Sequence, residues 1–365
     1  MTNNLWHIAH CFNCEGKIKD IQVYGSGNIN RTYLVTIDAA LEAYFILQCL
    51  NTEVFKQPHL VMDNIEIVTN HLNHKLQQID LSGDRCWYTP RVLLTSEGKN
   101  YYRDSNNLFW RAITFIPNSQ SFDTIQNNHH AAEIGYGLGM FHNLTSDLAV
   151  DSLADTLPGF HITPSYLNEY EQVIAKIQLT NSPEINYCLQ AINNCWELAD
   201  ILETAKIENK LPLRTIHGDP KINNIMFDCD TNQAISVIDL DTVKPGLIHY
   251  DLGDCLRSGC NPWGEETLEW EQVSFVPEYA QSILQGYVAV AEFLTQSDRD
   301  YIYDSIRLLS FELGLRFFTD YLRGNTYFKA DYPQHNLARA LVQFKLTESI
   351  ESQASTMQKI IRDLP

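Results

Sequence analysis

Between residues 21 and 50 apolar side chains fall at alternate positions. The segment IQVYGSGNINRTYLVTI puts Val35 and Ile37 on one face after a Gly-rich turn, and YFILQCL follows a short polar break, which predicts a hairpin and then a third strand. At Pro58 the period changes. Val61, Ile65, Val68, Leu72 and Leu76 share one helical stripe through HLVMDNIEIVTNHLNHKLQQ, so a helix follows the first strands. Beyond it WYTPRVLLTS, NYYRD and LFWRAITFI read as further strands separated by the turn signals Ser-Glu-Gly and Asp-Ser-Asn-Asn, and Pro117-Asn118-Ser119 closes the β-rich part. Helical patterns then take over near 127–143, 164–179, 184–208, 268–293, 298–323 and 333–361, with one β-rich island at 213–242. The expectation is a two-lobed α+β chain with a β-rich lobe over 1–118 and a mainly helical lobe over 119–365. Gly135-Tyr136-Gly137-Leu138-Gly139 lies inside one helical stretch and reads as a set of small residues for close helix packing.

Composition narrows the classes of function. The 365 residues are 44% hydrophobic, enough for a sizeable core, and 45 acidic against 26 basic side chains give a formal charge of −19. That charge opposes attraction to nucleic-acid phosphates and anionic lipid, so neither a nucleic-acid nor a membrane partner is expected. No apolar run is long enough to span a bilayer, and MTNNLWHIAHCFNCEG lacks a basic leader and an apolar stretch. The nine cysteines are odd in number and scattered, which favours reduced thiols and a cytoplasmic location. Cys11-Phe-Asn-Cys14 has redox or zinc spacing, but no second pair completes a ligand set.

The candidate chemistry gathers in the β-rich island. His217-Gly218-Asp219-Pro220-Lys221-Ile222-Asn223-Asn224 sets an Asp and an Asn five positions apart in a loop between strands. In phosphoryl transfer a carboxylate orients and accepts the proton of the attacking hydroxyl, while a nearby amide oxygen holds a metal ion on the phosphates. A little further on, Val237-Ile238-Asp239-Leu240-Asp241 ends an apolar strand in two carboxylates, oxygen ligands suited to Mg²⁺. Any one Asp here reads equally as a turn former; the two motifs together point to catalysis. The third element is the turn at Gly25, Ser26, Gly27, Asn28 and Asn30, whose glycines let backbone N–H groups approach an anion. A strand follows it and no GK[ST] is present, so a phosphate-covering hairpin fits better than a dinucleotide fold or P-loop.

These residues resemble the aminoglycoside phosphotransferase and choline kinase superfamily, of protein-kinase-like fold, over nearly the whole chain. HGDPKINN resembles its catalytic loop, VIDLDT its metal-binding segment and GSGNINRTYLV its nucleotide-covering hairpin. ILQCLNTEVFKQPHLVMDNI, VIDLDTVKPG followed by YDLGD, and LRFFTDYLRGNTYFK are most similar to the N-acetylhexosamine 1-kinase branch. The resemblance implies ATP and Mg²⁺, with Asp219 as catalytic base, Asn224 and Asp239 holding magnesium, and Asp241 and Lys221 supporting the site. It implies in-line transfer of the γ-phosphoryl group to a hydroxyl, most readily the anomeric hydroxyl of a sugar. Acceptor contacts are expected from the helical lobe: Asp254 and Arg257 after the metal strand, and Arg316, Asp320 and Tyr321 in RFFTDYL, where Arg316 and Asp320 share a helix face at i, i+4. Trp263 reads as a sugar-stacking or core residue.

One departure stands out. Cys49 occupies the third-strand position where relatives carry an Arg toward the nucleotide phosphates, leaving Lys56 in the next loop as the nearest substitute and Glu66 without its cationic partner. Alternatives to a sugar kinase are a kinase for an amino alcohol or nucleoside-like acceptor, and a catalytically silent nucleotide-binding protein. The retention of Asp219, Asn224 and Asp239 argues against the silent one, and the absence of DFG and APE motifs argues against a protein kinase.

Overall fold

The alternation that opens the chain becomes an antiparallel sheet. The computed structural model describes residues 2–25, 29–38, 43–81, 83–179 and 181–365. Its N-terminal sheet runs in the order Lys17–Val23, Arg31–Asp38, Tyr44–Leu50, Phe109–Thr114 and Val92–Leu93, with Tyr102–Arg103 also pairing on Phe109–Thr114. In the central register Leu47 faces Ala112, Gln48 faces Arg111 and Cys49 faces Trp110. Because side chains alternate across a sheet, Phe45, Leu47 and Cys49 all point to one face. That face is buried against Ile8, Ala9 and Phe12, from and just after a helix at Thr2–His10 that the sequence pattern did not announce. Gln48 and Arg111 point to the opposite face.

The helix after the third strand spans Pro58–Leu76, with Pro58 in its first turn, where a missing N–H costs nothing. Val61, Ile65, Val68 and Leu72 of the expected stripe are buried. Among them sits buried Asn64. Its Nδ2 donates to the carbonyls of Ala154 and Val243 at 2.8 and 2.9 Å, and its Oδ1 accepts from the Ala154 N–H at 2.9 Å. A single amide thus ties two distant segments to this helix.

Those ties explain the division of the chain, which falls into two compact units: residues 1–120, 144–158 and 226–245, and residues 121–143, 159–225 and 246–365. The first unit thus takes in 144–158 and 226–245, whereas the sequence pattern set all of 119–365, including the β-rich island at 213–242, in the second lobe. The metal-type segment VIDLDT therefore belongs to the sheet-bearing unit.

The second unit is built around the helix Ile302–Leu322, whose Phe311, Leu315 and Phe318 are buried in one cluster with Leu341 and Phe344 of the helix His335–Ser352. The glycines of the 135–139 stretch pack as the sequence suggests. A Cβ on Gly135 would lie 1.8 Å from the carbonyl oxygen of Ile283, and one on Gly286 would lie 1.9 Å from that of Ala132, so the helices Asn128–Thr145 and Pro277–Val288 touch backbone to backbone. A further helix, Ile248–Gly259, is buried at every residue but Ser258. The sequence pattern set no helix at these residues; the buried face carries Asp251, Asp254 and Arg257 beside its apolar residues. The mixed α+β class, with a β-rich N-terminal sheet and a helical C-terminal part, is the one expected. Among the described residues no helix is long and apolar enough to cross a membrane.

Candidate active site

The loop after the strand Arg214–Ile216 is held by groups that the sequence gave no reason to connect. Gly218 takes φ +85°, a backbone conformation open to glycine, and so turns the chain into Asp219. Asp251, fully buried on the Ile248–Gly259 helix, accepts hydrogen bonds from the N–H groups of His217 at 2.6 Å and Gly218 at 2.8 Å. His142 shares the same carboxylate at 2.8 Å through Nε2 and meets the Tyr287 hydroxyl through Nδ1. On its other side the Gly218 carbonyl lies 3.2 Å from His161 Nε2, while His161 Nδ1 lies 2.9 Å from Glu312 Oε1. Burial alone would lower the His161 pKa, but the Glu312 charge and hydrogen bond outweigh it and hold that pKa above the ordinary imidazole value. Both partners are acceptors, so the protonated ring can donate to Glu312 and the Gly218 carbonyl at once.

This grip leaves Asp219 half-buried, with Lys221 Nζ donating to its Oδ2 at 2.9 Å. Burial opposes the charge on Lys221, yet the Asp219 carboxylate keeps its pKa raised. Asn224 donates through Nδ2 to the Asp219 carbonyl at 2.8 Å, so its Oδ1 is the atom that could serve a cation, a hard oxygen of the kind Mg²⁺ takes.

The other carboxylates lie in the first unit. Asp239 follows the strand Ala234–Val237 and adopts φ 63°, ψ 53°, the left-handed conformation that Asp tolerates better than most residues. Asp241, in the 3₁₀ turn Leu240–Thr242, is buried with both oxygens engaged: Arg111 pairs with Oδ1, and Asn30 Nδ2 donates to Oδ2 at 2.6 Å. Of the Gly-rich turn, Gly25 takes φ +76°, Asn30 makes this contact, and Ser26, Gly27 and Asn28 lie outside the described residues. Among the described residues no group of three or more His, Cys, Asp or Glu side chains is arranged to hold a metal by itself. Magnesium shared with substrate phosphates needs only one or two protein oxygens, and the Asp239 carboxylate in the first unit and the Asn224 amide in the second each carry an oxygen of that kind.

Cys49 proves to be a core residue. It is buried on the face against the N-terminal helix, where Arg31 Nη2 donates to its Sγ at 3.0 Å. Burial, opposed by that contact, pushes its thiol pKa up. Glu66 accepts from Asn100 at 2.7 Å, and Lys56 is an exposed loop residue paired with Glu53 at 3.1 Å. A buried cation on the opposite sheet face is Arg111, which sequence reasoning missed.

In the second unit Asp254 and Arg257 form a buried pair, with Arg257 Nε and Nη2 on Asp254 Oδ1 at 3.0 and 2.7 Å, and Glu265 lies 3.8 Å from Nη1. Burial raises the Asp254 pKa, but Arg257 and His161 outweigh it and hold the carboxyl below its ordinary value. Arg316 does not pair with Asp320 across the helix turn. Its guanidinium lies 4.0 Å from Glu312 and is surrounded by the rings of Phe160, Tyr166 and Phe328 at 5.3, 4.8 and 5.4 Å. Asp320 instead accepts from the N–H groups of Thr326, Tyr327 and Phe328 and from Asn336, a loop-capping role that uses both of its oxygens. Tyr321 is half-buried and stacks near Phe318, and Trp263 is exposed.

Solved structures share this architecture. An aminoglycoside phosphotransferase from Alicyclobacillus acidocaldarius subsp. acidocaldarius DSM 446 is 16% identical with a TM-score of 0.65, over 98% of this chain and 96% of that one. A microcompartment-associated aminopropanol kinase is 15% identical with a TM-score of 0.63, over 99% and 100%. A choline kinase from Cryptosporidium parvum Iowa II is 14% identical with a TM-score of 0.59, over 93% and 91%. Identities this low speak for the fold. The sequence profile of the phosphotransferase enzyme family matches residues 20–293, three quarters of the chain including the Gly-rich turn, HGDPKINN and VIDLDT; the protein belongs to that family and is a phosphotransferase acting on a hydroxyl group.

Proposed function

We propose that the protein is an ATP-dependent small-molecule kinase whose acceptor is a monosaccharide or a close derivative, phosphorylated at its anomeric hydroxyl. The observation that carries the kinase reading is the fixed loop: Asp251 and His161 hold the two polar ends of Gly218, so the base next to it is positioned before substrate arrives. Asp219 accepts the proton of the attacking hydroxyl, and Lys221 holds the orientation of its carboxylate. Asn224 and Asp239 are the oxygen donors for magnesium. Bound magnesium would neutralise phosphate charge during transfer. An anomeric hydroxyl is more acidic than an ordinary alcohol and so makes a modest demand on a carboxylate base.

The acceptor class rests on the resemblance to the N-acetylhexosamine 1-kinase branch and on Arg316. A quaternary or primary ammonium is well bound by an aromatic cage, but here Phe160, Tyr166 and Phe328 already surround the protein's own guanidinium. The carboxylates Asp254 and Glu312 are likewise partnered, by Arg257 and His161. With both carboxylates already paired, these buried groups lack a free anion to neutralise an ammonium and suit the hydrogen-bonding needs of hydroxyls better. The amino-alcohol reading keeps the support of the aminopropanol kinase with the same fold. Incubation with Mg-ATP and free sugars is expected to give an acid-labile 1-phosphate, with 1-O-methyl glycosides inert as acceptors. Turnover of amino alcohols in place of sugars would replace the acceptor assignment, and efficient phosphorylation of the methyl glycosides would exclude anomeric transfer.

A further inference from the structure

We infer that Arg111 is a positioning residue for the metal-bearing segment, and that it provides from the strand Phe109–Thr114 the buried cation that the third strand lacks. The inference rests on the reading of Asp239 as a magnesium ligand. Cys49 marks where a strand cation is missing from the sequence, but Cys49 faces the N-terminal helix, so an Arg there would point away from Asp241. The neighbouring position has the other parity. Gln48 stands opposite Arg111 in the register, and Arg111 Nε donates to Gln48 Oε1 at 2.8 Å. Gln48 in turn donates to Thr32 Oγ1 at 3.0 Å.

From this strand pair the guanidinium reaches Asp241 through Nη1, with Met62 of the Pro58–Leu76 helix alongside. Arg111 and Asp241 are both almost wholly buried, at 2% and 3% exposure, so each neutralises a charge that would otherwise be costly to bury. Asp241 also takes Asn30 Nδ2, and Asn30 Oδ1 accepts from the Asn51 N–H at 3.0 Å. One continuous network therefore joins Thr32, Gln48, Arg111, Asp241, Asn30 and Asn51. It links the residue that leaves the Gly-rich turn, the end of the third strand and the 3₁₀ turn that directly follows Asp239.

The consequence falls on Asp239. A non-glycine residue in the left-handed region persists where its surroundings over-determine it. Two residues on, Arg111 and Asn30 fix Asp241 from both sides, and this fixes the turn Leu240–Thr242 that Asp239 caps at its N-terminus. Arg111 thus sets the metal carboxylate without ligating the metal, and it couples that carboxylate to the Gly-rich hairpin.

The test compares R111M, R111K, the charge-balanced R111M/D241N and D239A by steady-state kinetics, Mg²⁺ titration at fixed ATP and thermal melting. R111M is expected to raise the KM for Mg-ATP about tenfold and to move the Mg²⁺ midpoint upward, with the acceptor KM within about twofold of wild type. R111M/D241N is expected to recover the melting temperature but not the nucleotide and magnesium values. R111K keeps the buried charge, so it serves as the test should R111M fail to fold; it is expected to raise the Mg-ATP KM about threefold. Wild-type Mg-ATP KM in R111K, or its full recovery in R111M/D241N, would show Arg111 to be a packing ion pair and overturn the inference. D239A separates the two readings. A wild-type Mg²⁺ titration in D239A removes the metal assignment itself, whereas a shifted titration in D239A beside an unshifted one in R111M overturns only the role of Arg111.

Discussion

Asp251 and Gly218 are joined by a 2.8 Å hydrogen bond from the Gly218 N–H to Asp251 Oδ1, which anchors the peptide immediately before Asp219 to a helix with no solvent-facing side. The second oxygen takes the His217 N–H and His142, so this carboxylate serves three donors. Asp251→Asn preserves size but turns one acceptor into a donor that faces an N–H group. It is expected to cost about 2–4 kcal/mol of stability and to lower kcat roughly 10- to 100-fold. Wild-type melting together with wild-type kcat would remove the anchoring role.

Asp219→Asn tests the base itself. The amide keeps the loop's shape and loses the proton acceptor and the ion pair with Lys221, which is partly exposed and therefore worth little to stability. Turnover is expected to fall roughly 10²- to 10⁴-fold while nucleotide binding, followed by calorimetry or a fluorescent analogue, is retained. Near-normal turnover would refute the assignment.

What the sequence made legible was local. The Pro58–Leu76 helix, the strands flanking the Gly-rich turn and the two Asp-bearing motifs each carry their signal within a few residues. Arg111 does not, because FWRAIT reads as an ordinary strand until the fold brings Asp241 to it. The roles of Asp251, which the sequence showed only as part of YDLGD, and of His161 were hidden for a related reason. The loop N–H groups that Asp251 holds are more than thirty residues away, and His161 is a lone loop histidine whose partners, Glu312 and the Gly218 carbonyl, are remote in the chain. Cys49 is instructive in the other direction. It shares parity with Phe45 and Leu47, and strand alternation alone assigns it to the apolar face; the resemblance to relatives with Arg there pointed the other way.

Cys49→Arg follows from that parity. A guanidinium at 49 would enter the cluster formed with Leu47, Trp110 and the N-terminal helix, next to the Arg31 cation that already contacts the thiol. The expected result is a loss of about 3–5 kcal/mol with no tightening of ATP binding. A stable variant with a lower KM for Mg-ATP would show that the side chain reaches the nucleotide.

His161 is expected to make the loop sensitive to pH, with the sign set by its raised pKa. The folded state binds the proton more tightly than the unfolded chain, because the Glu312 charge and hydrogen bond outweigh the burial that opposes them. The stabilisation is complete below the ordinary imidazole value of about 6.5 and is lost as pH rises through the higher folded value. His161→Gln removes the titration while its amide can still donate to one of the two acceptors. Residue 161 also has φ 64°, so any replacement carries a constant backbone penalty, and the informative quantity is the slope with pH rather than the absolute stability. The melting-temperature gap between wild type and H161Q is expected to be widest below about pH 6.5 and to narrow as pH rises above it. A gap that stays constant from acid to alkaline pH would mean that His161 is not charged in the fold and holds the Gly218 carbonyl, if at all, as a neutral donor.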